Sequence, residues 1–188
     1  MTQEPETLPP PEPPRKRDWA AYSAVIATLV GLLALCVSAY TAMLQQQQVR
    51  AQVWPRLQLM SSGSLQEVLV MNKGVGPALI RSVRVTVDGA VVHDWKELEK
   101  ILGVTPADYV QSTVNGTIIS GGERYVMASF PDKPVWDRVR PILQRMDRRM
   151  CFCSTLDECW WVGTTTSGAN DYRPVNHCAR NEAEEFND

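Results

Sequence analysis

The sequence predicts a mainly β protein, in which one N-terminal membrane-spanning helix precedes an antiparallel β-sandwich carrying one or two inserted short helices. Three observations predict it. Trp19 to Leu44 is an uncharged, almost wholly apolar or small run of 26 residues, longer than the ~20 a helix needs to cross bilayer hydrocarbon. After Trp54 the apolar residues alternate in short runs, the period of a half-buried strand. Turn chemistry, above all Asp88-Gly89, separates those runs.

Composition sets the outer limits. Hydrophobic residues form 44% of the 188-residue chain, enough for one domain with a core plus a tail. The formal net charge of −2 comes from 19 basic and 21 acidic residues spread along the chain. That spread predicts no basic face of the kind a phosphate backbone needs, so no nucleic acid is expected as a partner.

Residues 1–17, MTQEPETLPPPEPPRKR, carry six prolines and only Leu8 as a large aliphatic residue. Such a segment buries too little surface to offset its ordering entropy, so a disordered Pro-rich cytoplasmic tail is expected. Residues 18–44 follow as the transmembrane helix. Arg15, Lys16 and Arg17 flank it on one side and only Arg50 lies near the other. The positive-inside bias therefore puts the N-terminus in the cytoplasm and the C-terminal domain outside the cytoplasmic (inner) membrane. A cleaved signal peptide is the rival, because "VSA" ending at Ala39 and "YTA" ending at Ala42 place small residues suitably. The apolar stretch is roughly twice the 7–15 residues of a signal core, which favours a retained anchor.

Within the span a 4,3 spacing selects Ala20, Ala24, Ala27, Gly31, Ala34, Ser38 and Thr41, all small. Small residues let helix backbones approach, and a 3.5-residue period is that of a left-handed pair. A helix-association face is the expectation, with homo-oligomerisation or a membrane complex as its product. Replacing Gly31 and Ala34 by Leu should then abolish self-association. The register continues through Gln45, Gln48 and Gln52 into residues 45–53, a juxtamembrane helical extension ending near Pro55. Cys36, inside the span, reads as a small apolar filler.

Residues 54–180 form the expected periplasmic or extracytoplasmic domain, and 181–188 an acidic tail. "PRLQLMSS" and "SLQEVLVMN" supply two strands. "IRSVRVTVDGAVVH" supplies a hairpin with Ile80, Val83, Val85 and Val87 inward and Asp88-Gly89 turning. A helix follows, capped by Asp94, with Glu97 completing a capping box, Gly103 ending it and Trp95, Leu98, Ile101 and Leu102 to bury. "TIISGGERYVMASF" reads as two strands around Gly121-Gly122, or as a strand pair with a bulge. "KPVWDRVRPILQRM" puts Val135, Val139, Ile142 and Met146 at helical spacing, with Pro141 predicting a kink or two short pieces.

"VLVMNKGVGPALIRSVRVTVDG", residues 68–89, resembles the N-x-G-x-G-P-A strand-turn-strand signature of immunoglobulin-like domains in bacterial surface and periplasmic proteins. That resemblance implies an immunoglobulin-like sandwich. The whole layout also resembles single-pass bacterial envelope proteins whose outer domain ends in a C-x-C and C-W segment, and this brings no activity with it. "GVGPA" is turn chemistry and not a dinucleotide loop, since the third glycine is missing.

Catalytic motifs are absent from the sequence. There are two histidines, His93 and His177, and no H-E-x-x-H, G-x-S-x-G or Walker loop. No catalytic residue, cofactor or small-molecule substrate is expected. The carboxylates Asp157, Glu158, Glu182, Glu184 and Glu185 read as solvated surface.

That leaves "CFCSTLDECWW", residues 151–161, and Cys178. Outside the cytoplasm an even set of thiols pairs. A hairpin centred on Leu156 sets Cys153 opposite Cys159 and Phe152 opposite Trp160, leaving Cys151 for Cys178. A turn one residue tighter gives Cys151 with Cys159 and Cys153 with Cys178. The alternative to disulfides is a metal or thiol-redox site built from Cys151, Cys153, Cys159, Cys178 and His177, although C-x-C is tighter than a usual zinc knuckle. The functional expectation is a non-enzymatic, membrane-anchored envelope protein presenting a disulfide-stapled domain for protein binding or assembly. The alternatives are an envelope metal or redox protein, and an accessory subunit assembled through its span.

Overall fold

The structure, a computed structural model, describes residues 19–164 and 170–187. The Pro-rich segment 1–17 lies outside them. Helix α1 (Trp19–Gln52) is continuous over 34 residues, and its best window has a mean hydropathy of 2.3. It is long and apolar enough to cross a membrane. Ser23 donates to the Ala20 carbonyl and Thr28 to that of Ala24, which satisfies these two hydroxyls along the helix itself. Contacts divide the chain after Gln46 into two units.

The second unit mixes helix with antiparallel sheet. Its strands are β1 (Leu57–Ser62), β2 (Glu67–Asn72), β3 (Ala78–Val87), β4 (Ala90–Val92), β5 (Val110–Gln111), β6 (Ile118–Ile119), β7 (Arg124–Ser129), β8 (Met146–Cys153), β9 (Cys159–Thr164) and β10 (Asn170–Val175), with α2 (Trp95–Leu102) and α3 (Lys133–Leu143) inserted. One sheet has the order β1-β2-β7-β5; the other runs β10-β9-β8-β3-β4, with β6 also on β3. Buried residues of both sheets and both helices form a single apolar cluster that includes Leu57, Val70, Val83, Leu98, Val139 and Met150.

The β3–β4 hairpin follows from its two-residue turn, in which Asp88 and Gly89 both take positive φ, 51° and 82°, as a hairpin of the strand's own twist demands. Ile80, Val83, Val85 and Val87 are all buried. The step from Ile80 to Val83 breaks strict alternation, and the pairing of β3 with β8 shifts there to absorb it.

In α2 the Asp94 side chain accepts from the Glu97 N–H, and Gly103 closes the helix in the left-handed region at φ 65°. The reciprocal half of the box is displaced by one residue: the Glu97 carboxylate accepts from the His93 N–H at 2.8 Å. Trp95, Leu98 and Leu102 are buried, whereas Ile101 is 40% exposed and lies off the packed face.

Two sequence expectations are corrected. Lys133–Leu143 is one helix with Pro141 inside it. Pro141 falls in the last turn, so its missing N–H costs only one bond near an end that stops two residues later. Met146 is therefore not on that helix; it opens β8, and Leu143 is the buried residue instead. Around Gly121-Gly122 the two expected strands form, but the strand-pair alternative fails, because β6 joins β3 in one sheet and β7 joins β2 in the other.

The "NKGVGPA" stretch is built on Asn72. Its buried amide accepts from the Arg56 and Gly74 N–H groups at 3.0 Å each and donates to the Gly76 and Ile119 carbonyls at 2.8 and 3.0 Å. The glycines let backbones meet: a Cβ on Gly74 would lie 2.3 Å from the Trp54 carbonyl oxygen, and one on Gly76 2.1 Å from that of Val53. No side chain fits either place.

Candidate functional site

The cysteine hairpin forms because its turn supplies its own hydrogen bonds. The Ser154 hydroxyl accepts from the Leu156 and Glu158 N–H groups at 3.2 and 3.3 Å, and Asp157 takes a φ of 57°. This fixes the register of β8 on β9: Cys153 opposite Cys159, Phe152 opposite Trp160, Cys151 opposite Trp161. Side chains alternate across a strand, so the cysteines share one face while Phe152 and Trp160 meet on the other at 5.7 Å.

The structure brings Cys151 Sγ to 2.03 Å from Cys178 Sγ, and Cys153 Sγ to 2.07 Å from Cys159 Sγ. The two bridges touch, with Cys153 and Cys178 sulfurs 3.7 Å apart. Cys153, Cys159 and Cys178 thus make a close sulfur group, but sulfurs in disulfide bonds are not thiolate ligands. His177 is exposed and not among that group. Cys36 lies exposed on α1, as do Ala20, Ala24, Ala27, Gly31, Ala34, Ser38 and Thr41.

Beyond Cys178 the chain departs from the expected solvated tail. Glu185 and Phe186 are 2% and 1% exposed. On β3 the outer edge is taken by β6 at Ala78 and Leu79 and by β4 from Val85 onward, which leaves an opening at Ser82 and Val83. The C-terminal segment fills it. The Glu185 carboxylate accepts from the Ser82 hydroxyl at 2.7 Å and the Val83 N–H at 3.1 Å. The Phe186 N–H donates to the Val83 carbonyl at 2.8 Å, and its ring sits edge-on to Trp95 at 5.3 Å. A carboxylate here does the work of a strand's carbonyl, so the reading of Glu185 as solvated surface fails. Glu182 is exposed, while Glu184 pairs with Arg84. Arg84 also lies over the Trp161 ring at 4.7 Å.

Beside the hairpin lies a groove of about 1250 Å³ walled by the end of β1, the C-terminal half of α3 and strands β8, β9 and β10. Six arginines line it, Arg84, Arg140, Arg145, Arg148, Arg149 and Arg173, against Asp147 and Asp171. The even spread of charge along the sequence does not hold in space. Four of the six have a carboxylate partner: Glu184 for Arg84, Asp88 for Arg145, Asp147 for Arg149 and Asp171 for Arg173. Arg140 and Arg148 have none among the described residues.

Arg148 is 5% exposed. It donates to the Met60 carbonyl at 3.1 Å and the Ser61 hydroxyl at 3.3 Å, while its Nε has no partner among the described residues. Burial pulls the guanidinium down to about 10, opposed by the charge of Asp147, so it remains a cation at neutral pH. A sequence signal existed in "DRVRPILQRMDRR", residues 137–149, whose arginines come from one helix and the strand after it. Only the turn from α3 into β8 puts Arg140, Arg145, Arg148 and Arg149 around one groove. Compared with protein families, curated proteins and solved structures, the chain shows no match.

Proposed function

We propose that this chain is a single-pass envelope protein that holds a disulfide-stapled binding domain outside the cytoplasmic membrane. The observation that carries the reading is the conjunction of a 34-residue apolar helix, a preceding Arg-Lys-Arg flank and four C-terminal-domain cysteines drawn into two disulfide bonds. Disulfides persist in oxidising compartments, and the basic flank favours the side of the membrane that sends the domain there.

In this reading the two antiparallel sheets form a β-sandwich of immunoglobulin-like kind, and the domain works by recognition rather than catalysis. What supports a binding role is the arginine groove: a wide, open concavity with surplus positive charge and no histidine among its lining residues. Reporter fusions after Asp188 test the topology. A reporter active only outside the cytoplasm should report, and one active only in the cytoplasm should not; the opposite pattern overturns the proposal.

A further inference from the structure

We infer that the arginine groove receives an acidic peptide segment of a partner protein, with one carboxylate held by Arg140 and Arg148 against the Met60–Gly63 end of β1. This deepens the binding-module reading and rests on it. Arg148 reaches the Met60 carbonyl and Ser61 hydroxyl, and the Arg140 guanidinium carbon lies 4.0 Å from the point a Cβ would occupy on Gly63. Both cations without a carboxylate partner thus converge on the same four residues. A buried guanidinium hydrogen-bonded only to neutral oxygens, with Nε unpartnered and Asp147 acting on it only through its field, is a charge without a contacting counter-ion among the described residues. A planar carboxylate matches the guanidinium fork.

The size and charge of the groove select the kind of ligand. At about 1250 Å³ it exceeds the roughly 300–1,000 Å³ of small-molecule pockets. Its walls set guanidinium groups beside the half-buried Trp161 ring, which suits apolar as well as acidic side chains on an extended chain. After the four arginine–carboxylate pairs are counted, two cations are left over, and two peptide carboxylates balance them. A polyphosphate or a phosphorylated surface would bring negative charge well beyond that surplus.

The experiment is fluorescence anisotropy with the full chain in detergent. A labelled Glu-rich peptide with interspersed Leu is compared with its Gln-substituted twin. The expected result is saturable binding of the Glu peptide alone, weakened about tenfold or more in Arg140→Glu, since a charge-assisted contact is worth roughly one decade of affinity. Arg81→Glu, the same charge change at an exposed site outside the groove, should leave binding unchanged. Arg148→Gln adds a second test where its thermal unfolding matches the parent. Equal binding of the Gln peptide, equal loss in Arg81→Glu, or tighter binding of inorganic polyphosphate or anionic vesicles overturns the inference. Because topology is read separately by the reporter fusions, failure of the peptide to bind removes the groove's ligand and leaves the anchored-domain reading standing.

Discussion

Truncating Phe186 to alanine tests whether the C-terminus belongs to the core. The ring is 1% exposed and packs edge-on to Trp95 at 5.3 Å. A buried aromatic removes about 150–250 Å² from water, and at ~25 cal/mol per Å² this is roughly 4–6 kcal/mol, of which alanine keeps a part. Large-to-small changes of this kind cost about 3–5 kcal/mol. The loss should also loosen the Val83 edge, because the Phe186 N–H bond to the Val83 carbonyl depends on the ring staying in place. Urea unfolding of the full chain in detergent, followed by tryptophan fluorescence, measures the change. Glu182→Ala, four residues earlier and exposed, is the control and should stay within about 0.5 kcal/mol. If Phe186→Ala also moves stability by less than about 1 kcal/mol, the C-terminal segment is not docked as described and the reasoning fails.

Glu185→Ala leaves the Ser82 hydroxyl and Val83 N–H without their acceptor and should cost about 1–3 kcal/mol in the same assay. Gly76→Ala drives a Cβ to 2.1 Å from the Val53 carbonyl oxygen; backbone cannot yield as a side chain does, so a loss of at least about 1–3 kcal/mol is expected. Replacing Cys151 and Cys178 together by Ala opens a link spanning 27 residues and should lower stability by about 2–4 kcal/mol, read as a lower denaturation midpoint. Glu97 sits below its ordinary 4.5, first because it accepts the His93 backbone N–H and then through the His93 side chain. A depressed carboxylate stabilises the fold above its unfolded value and stops doing so as pH falls through its folded one. NMR titration should therefore find Glu97 below 4.5, and Glu97→Gln should flatten that part of the acid limb; an unshifted Glu97 refutes the cap geometry.

The elements that sequence made legible are those with local causes. Asp88-Gly89 announces its hairpin, Asp94 and Gly103 bracket α2, and the uncharged run announces α1, because turn dihedrals, caps and hydropathy act within a few residues. The cysteine hairpin was legible for the same reason, through its short loop and its paired aromatics. What stayed hidden depends on distant partners. Nothing in "EAEEFND" says that β3 has an opening at Val83 of the right size for Glu185 and Phe186, since that opening exists only once β4 and β6 have taken the rest of the edge. Likewise Arg148 reads as one more surface cation until the end of β1 buries it. Pro141 misled because a proline's cost depends on how close the helix end lies, and Met146 followed it as a helix residue for want of a marker at the helix-to-strand turn.

The most direct measurement is the intact mass of the chain taken from membranes with thiols alkylated before and after reduction. The chain has five cysteines, of which Cys36 alone is free in the structure. A disulfide-stapled domain outside the cytoplasm predicts one label without reductant and five with it. Five labels without reductant would contradict it.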